Sequence, residues 1–240
     1  MRTKLIELKK VNKIFNDEVI VKDLNMEIYQ DEIVVILGKS GIGKSTLLRM
    51  ISKLDNDYIG KIVYNDLIFE KNSIPLPVIF QNFDQLLPWY DIKKNILLPF
   101  NSDSKMKNKF ELIVKKLELT DHLKKYPKEI SGGMKQRAAI ARTLLTDSKI
   151  IFLDEPFGSL DIIMRRNLQD LILKIKKEFN KTMFFITHDI EEAVYLADRI
   201  IIMQSSEKRI EIDLRDKNFK RYTAEFDEKV NEIIELVNNS

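Results

Sequence analysis

The segment GKSGIGKST at residues 38–46 constrains the fold of this chain more than any other. It follows a wholly apolar run, IVVIL at residues 33–37, and precedes a segment with helical spacing. Glycines in such a turn let successive backbone N–H groups point inward, and the amino end of the helix adds partial positive charge. The pattern G-x-x-x-x-G-K-[ST] between a strand and a helix therefore predicts a phosphate-binding loop. The alternative is a plain glycine-rich turn, since the bare pattern arises by chance in about one chain of this size in a hundred.

This pattern also assigns chemistry to individual side chains of the loop. Lys44 is expected to bridge the β- and γ-phosphates of a nucleoside triphosphate, and the Ser45 hydroxyl is expected to ligate Mg²⁺. The residues predicted to contact the nucleotide here are Gly38, Ser40, Gly41, Gly43, Lys44, Ser45 and Thr46.

Two carboxylates follow a second apolar run, IIFL at residues 150–153. A carboxylate at the carboxyl end of a buried strand lies in the crevice where α/β proteins bind ligands. Asp154 is expected to hold the Mg²⁺ and Glu155 to accept a proton from an attacking water. Consecutive side chains of a strand point to opposite faces, so the strand must end at this pair. Alone, the segment would indicate only an acidic turn.

The order of elements indicates an α/β fold. Short apolar strands alternate with helices, which predicts a mostly parallel sheet covered on both faces. Amphiphilic strands near the start suggest a separate antiparallel piece, and the helix-rich stretch at about 88–146 suggests an inserted subdomain. We expect one compound domain over residues 1–240, with a short C-terminal helix at about 224–238. A long helix at 161–179 is predicted to place its apolar residues on one face: Ile162, Ile163, Leu168, Leu171, Ile172 and Ile175.

Composition excludes several classes of site. The chain has no cysteine, which excludes a disulfide scaffold, a thiol nucleophile and cysteine-based metal centres. It has two histidines, His122 and His188, which argues against a multi-histidine metal site. A net charge of +3 is not that of a nucleic-acid binder, so no nucleic-acid partner is expected. No apolar run is long enough to span a membrane and the start lacks a secretory signal, so we expect a cytosolic chain.

A third motif, ISGGMKQRA at residues 130–138, predicts a second anion-binding site. Ser131 can cap the following helix, and Gly132 and Gly133 expose its N-terminal amides. The tripeptide SGG alone would indicate an ordinary helix cap, but the longer octet followed by AAIAR is more specific.

Together these motifs resemble the nucleotide-binding subunits of the ATP-binding cassette (ABC) transporters. ISGGMKQR is similar to that family's signature sequence, IIFLDEP to its Walker B strand, GSLD at 158–161 to its D-loop and THD at 187–189 to its switch-histidine loop. The resemblance covers nearly the whole chain, with six motifs in the family's order. It implies a P-loop NTPase with a RecA-like parallel sheet, an antiparallel β subdomain and an inserted helical subdomain, and the cofactors ATP and Mg²⁺.

The resemblance implies roles for further residues, each with an alternative. Gln81 would contact Mg²⁺ and the attacking water, or is a surface loop residue. His188 would hydrogen-bond the γ-phosphate, or is a structural histidine. Phe15 would stack on adenine, or ends a strand as a core residue. Asp161 would contact nucleotide, or caps the long helix, or does both. His122 has no such context and is expected at a surface or helix end.

The resemblance also implies partners. Ser131, Gly132 and Gly133 would contact the ATP held by a second ATP-binding subunit, which implies a head-to-tail dimer, expected to be a homodimer. Integral-membrane permease subunits and an extracytoplasmic solute-binding protein would complete the assembly at the cytoplasmic face of the membrane. We expect one chain alone to hydrolyse ATP poorly.

The segment QNFDQLLPWYD at residues 81–91 resembles importer subunits for nitrate, sulfonate, taurine and related small ions. Its Trp89 would lie near the coupling surface, or is a core anchor. The rival functions are an exporter or lipoprotein-extraction ATPase, a non-transport ABC protein acting on DNA or ribosomes, and a nucleotide-binding module without catalysis. DNA-repair relatives need long coiled-coil insertions and ribosome-acting ones usually carry two cassettes, neither of which is present.

Overall fold

The computed structural model describes residues 2–65, 76–80, 85–100, 106–158, 160–216 and 219–238. Its strands are β1 (Lys4–Phe15), β2 (Glu18–Tyr29), β3 (Ile33–Gly38), β4 (Ile59–Tyr64), β5 (Val78–Ile79), β6 (Ile150–Asp154), β7 (Thr182–Ile186), β8 (Arg199–Met203) and β9 (Arg209–Asp213). Its α-helices are α1 (Lys44–Ile51), α2 (Ile92–Leu97), α3 (Met106–Lys116), α4 (Gly132–Leu145), α5 (Ile162–Phe179), α6 (Ile190–Leu196) and α7 (Ala224–Asn238).

The main sheet has the order β5-β6-β7-β3-β8-β9 within the described ranges. Its pairings are parallel from β5 to β8, and β9 joins the edge antiparallel to β8. Parallel neighbours need crossover connections, and α1, α5 and α6 lie in the connections of this sheet. The carboxyl ends of β3, β6 and β7 therefore meet at one edge of the sheet.

Strand β3 shows why its sequence is apolar at every position. Ile33, Val35 and Leu37 face a core shared with α4, α5 and α6. Val34 and Ile36 face the opposite core, which is shared with α1 and the antiparallel strands. A strand covered on both faces has no solvent side and so carries no polar alternation.

The amino-terminal strands form a separate antiparallel sheet with the order β2-β1-β4. Strands β1 and β2 are joined by a two-residue turn in which Asn16 and Asp17 both have positive φ, 48° and 64°. A two-residue turn with positive φ at both residues is typical of the type I′ turn, whose twist matches that of the strands it joins. The turn places Phe15, paired with Glu18, at the tip of this hairpin.

The helical middle of the chain is organised around a buried amide. Asn95 on α2 is fully buried, and its side chain accepts a hydrogen bond from Leu87 N and donates to Leu87 O and Tyr90 O. These bonds fix the segment that carries Trp89, whose surface is 66% exposed. Trp89 is therefore a surface residue, and the core-anchor alternative is wrong.

Two details of the sequence prediction are corrected. Strand β9 was not predicted, because RIEID carries only two apolar residues and lies half-exposed at a sheet edge. On α5, Leu168, Ile172 and Ile175 are buried as predicted, but Ile162 and Ile163 are 63% and 70% exposed. Successive helical residues are separated by about 100° around the axis, which turns these two away from the buried face.

The C-terminal helix α7 packs on the core through Phe226 and Ile233. The segment before it is attached by Arg221, whose guanidinium lies 3.5 Å from the centroid of the Tyr195 ring on α6 and donates to Asp170 Oδ1 on α5. In the described part of the chain, no helix is both long and apolar enough to cross a membrane.

Candidate nucleotide site

The phosphate-binding loop, residues 38–43, joins β3 directly to α1. Gly43 sits at the cap of α1 with φ 99°, a left-handed conformation that favours glycine. A Cβ at this position would lie 2.7 Å from Ile20 Cγ2 of strand β2. Gly41 also has positive φ, 82°, but a Cβ there would meet nothing within 4 Å. The loop is thus packed at its helix end and open at its middle.

Lys44, the first residue of α1, turns its side chain back over this loop. Its Nζ donates to Gly38 O at 2.8 Å and to Lys39 O at 2.9 Å. The residue is only 6% exposed, and this burial lowers the pKa of its ammonium group, opposed by the charges of Glu155 and Asp154. The Lys44 ammonium group is therefore held against the start of the loop.

Ser45 and Asp154 form a pair of hard oxygen donors. The Ser45 hydroxyl donates to Asp154 Oδ1 at 3.1 Å, joining the first turn of α1 to the end of β6. Burial raises the pKa of Asp154, while the bond from Ser45 opposes that effect. An adjacent hydroxyl and carboxylate are the ligands that Mg²⁺ takes alongside phosphate oxygens, so these residues fit that ion.

Glu155 follows the last residue of β6, as the sequence predicted for this pair. Its φ is 44°, so the extended alternation of the strand breaks at this residue. Its N–H donates to Ile186 O at the end of β7. Its Oε2 lies 2.9 Å from His188 Nδ1, which brings two predicted catalytic residues into contact.

The predicted residues outside this cluster lie in two places. Phe15 is 62% exposed at the tip of the β1–β2 hairpin, so the alternative that it is a core residue is wrong. Strand β2 itself lies against the phosphate loop, because its Ile20 is close to Gly43. Ser40 is exposed and Thr46 is half-buried. Gln81 lies outside the described residues.

The signature segment faces the start of α5. Ser131 caps α4 by accepting from Met134 N, and a Cβ on Gly133 would lie 3.4 Å from Met164 Sδ. Asp161 caps α5 by accepting from Ile163 N and Met164 N, so the prediction that it caps the long helix is confirmed. Within the described ranges, Ser131 makes no hydrogen bond to the cluster around Lys44.

The contacts of four polar residues next to His188 were not predicted, although two of these residues, Thr187 and Asp189, belong to the THD motif. Thr187, Asp189 and Glu192 hydrogen-bond one another at the start of α6, and Arg165 pairs with Asp189 from α5. Besides that motif, the sequence signal was Asp189 followed three residues later by Glu192, a helix-start pattern.

Comparison with known proteins decides the family. The family described as ABC transporter matches residues 21–158, which is more than half of the chain. The chain belongs to the ABC transporter family of ATP-binding proteins. Its α/β P-loop fold and its ATPase activity, both predicted from the motifs, are thereby confirmed.

Curated ABC relatives match most of the chain. An aliphatic sulfonates import ATP-binding protein, SsuB, of Bacillus cereus is 39% identical over 217 residues, covering 88% of this chain and 86% of that protein. The protein of the same name from Bacillus subtilis is 38% identical over 80% of this chain and 75% of its own length. An uncharacterised ABC transporter ATP-binding protein of Methanocaldococcus jannaschii is 36% identical over 99% and 92%.

Solved ABC cassettes have the same fold. A dimeric ATP-binding cassette in a post-hydrolysis state, bound to ADP and phosphate, has a TM-score of 0.72 and 30% identity, covering 90% of this chain and all of that one. CbiO1 of Clostridium perfringens has a TM-score of 0.78 at 22% identity, covering 89% and 90%.

Proposed function

We propose that this ABC ATPase powers an importer for a small organic anion of the sulfonate, taurine or nitrate type. Two copies would bind two ATP molecules head to tail and act on a separate permease at the cytoplasmic face of the membrane. An extracytoplasmic solute-binding protein would deliver the solute. Relatives named as sulfonate import proteins, at about 40% identity, support this choice over export.

The observation that carries the proposal is the meeting of Lys44, Ser45, Asp154, Glu155 and His188 at the carboxyl edge of the sheet. The loop amides and the Lys44 ammonium would bind the β- and γ-phosphates. Ser45 and Asp154, with Gln81, would hold Mg²⁺. When bound, that ion would neutralise charge on the phosphate oxygens.

Glu155 would take the proton of the attacking water, since its carboxylate lies at the strand end beside the phosphate loop. His188 uses Nδ1 towards Glu155, which leaves Nε2 for the γ-phosphate. Phe15, exposed at the hairpin tip, would stack on adenine. Ser131, Gly132, Gly133 and Asp161 would complete the site of the opposite subunit.

Nucleotide binding tests the site directly. Lys44→Ala is expected to weaken Mg²⁺–ATP affinity at least tenfold, because the loop loses its cation. Lys39→Ala removes the same charge from an exposed position in the same loop and serves as the matched control. Equal affinities in the two variants, measured by titration calorimetry, would refute the loop assignment.

The import proposal needs the assembled transporter. The chain is reconstituted in vesicles with its permease and solute-binding protein, and ATP hydrolysis is measured with an alkanesulfonate, taurine or nitrate. Stimulation by one of these solutes together with its uptake into the vesicle supports import. Active hydrolysis with outward transport, or with no response to any of the three, would refute it.

A further inference from the structure

The histidine loop, residues 187–189, is held on both sides of His188 by polar contacts. On one side, the Thr187 hydroxyl donates to Glu192 Oε2 at 2.7 Å and accepts from Asp189 N at 3.0 Å. Thr187 is 2% exposed and Glu192 is 6% exposed, so this bond is shielded from water. Thr187 N also donates to Ile36 O of β3, which fixes the loop to the sheet.

On the other side, Asp189 is bound by two different helices. Its Oδ1 accepts from Glu192 N and caps α6, while its Oδ2 lies 3.1 Å from Arg165 Nη1 on α5. Arg165 belongs to the first turn of α5, because its N–H donates to the O of the capping residue Asp161. The ion pair therefore ties the histidine loop to the capped end of α5.

Arg165 also faces Glu192. Its Nε lies 3.7 Å from Glu192 Oε1 and has no hydrogen-bond partner among the residues that the structure describes. A cavity of about 30 Å³ lies between these side chains, His188 and Glu155. That volume has room for one water molecule, which would bridge the two groups.

We propose that Arg165 and Glu192 are positioning residues that hold His188 in place for ATP hydrolysis. Among the residues that the structure describes, neither forms a hydrogen bond or ion pair with Glu155 or the phosphate loop; each acts on a residue adjacent to His188 in the chain. Displacing the imidazole by even about 1 Å would cost turnover, whereas nucleotide binding through Lys44 would be unaffected. This inference rests on the proposed role of His188 at the γ-phosphate.

Steady-state kinetics of the purified full-length chain separate the two effects. Arg165→Gln is expected to lower kcat about tenfold or more, with KM for ATP unchanged within about twofold. The matched control is Arg166→Gln, the same substitution at the next residue of α5, where the guanidinium lies over the Tyr222 ring, 5.1 Å from its centroid. The control is expected to retain wild-type kcat.

Two conservative variants distinguish positioning from folding. Glu192→Gln keeps an oxygen that accepts from Thr187 and is expected to retain most of the turnover, whereas Glu192→Ala is expected to lose it. Asp189→Asn keeps the cap on α6 but removes the charge that faces Arg165 and is expected to match Arg165→Gln. It also supplies the test should Arg165→Gln fail to fold.

A double variant shows whether Arg165 acts through His188. In the background of His188→Ala, single-turnover hydrolysis is expected to fall less than twofold further when Arg165→Gln is added. A further tenfold loss would mean an independent effect and would overturn the inference. So would wild-type turnover in both Arg165→Gln and Asp189→Asn. Wild-type turnover in His188→Ala alone would instead overturn the proposed function and, with it, this inference.

Discussion

Glu155 Oε2 and His188 Nδ1 lie 2.9 Å apart, although 33 residues separate them in the sequence. The contact arises because β6 and β7 are parallel neighbours, so that the residues following both strands meet at one edge of the sheet. The left-handed backbone of Glu155 at this point also ends the strand. The fold thus brings together a candidate base and a candidate phosphate ligand.

Removing the charge of Glu155 is expected to stop turnover without stopping ATP binding. Glu155→Gln keeps the size of the side chain but cannot accept the proton of the attacking water, so kcat should fall at least 100-fold. The trapped ATP would hold two copies together, which size-exclusion chromatography with Mg²⁺–ATP would detect. Full hydrolysis in this variant would exclude Glu155 as the base.

Gly41 and Gly43 of the phosphate loop both have positive φ but are expected to respond differently to alanine. Gly43→Ala meets both an unfavourable φ, worth about 1–2 kcal/mol, and a contact with Ile20 that must be relieved at a further cost of about 1–3 kcal/mol. Gly41→Ala meets only the first effect, because a Cβ there has open space around it.

Denaturant unfolding and ATP titration measure both effects. Gly43→Ala is expected to lose at least about 1 kcal/mol more stability than Gly41→Ala, and to lose more ATP affinity because its helix cap shifts. Equal losses in the two variants would show that Ile20 moves aside without cost.

Local patterns made the glycine-rich loop and the ends of β6 and β7 predictable. The loop depends on glycine spacing between adjacent elements, and the end of β6 follows from two consecutive carboxylates. Arg165 and Glu192 were not predictable, because their contacts cross from α5 to α6 and each looks in sequence like an ordinary polar helix residue. The exposure of Ile162 and Ile163 was equally hidden, since a list of apolar positions does not show where the partner surface ends.

The contacts of Arg221 predict a specific weakness at the C-terminal end. Arg221→Ala removes the stacking on Tyr195 and the bonds to Asp170 and Gln169, so the free energy of unfolding should fall by about 1–3 kcal/mol. Arg215→Ala is the control, because its ion pair with Asp213 is exposed and local. Hydrogen exchange should accelerate at residues 219–226 in Arg221→Ala alone. Unchanged exchange there would show that Arg221 does not attach this segment to the core.

The buried carboxyl of Glu192 predicts how stability depends on pH. Burial raises the pKa of Glu192 from an ordinary 4.5 to about 7, although the Thr187 hydroxyl and the Arg165 charge oppose this and the Asp189 charge adds to it. The folded state therefore binds this proton more tightly than the unfolded state. The stabilisation is fully present below pH 4.5 and is lost as the pH rises through 7.

Replacing the group by an amide isolates this contribution. Each pH unit of the interval is worth about 1.4 kcal/mol, so Glu192→Gln should gain about 2–3 kcal/mol over the wild type between pH 5 and pH 8. Glu191→Gln, the same change at an exposed position of the same helix, should follow the wild type within about 0.5 kcal/mol. Denaturant unfolding at both pH values gives the comparison. Parallel curves for Glu192→Gln and the wild type would mean that the carboxyl is ionised in the folded protein throughout this range, with Arg165 compensating its burial.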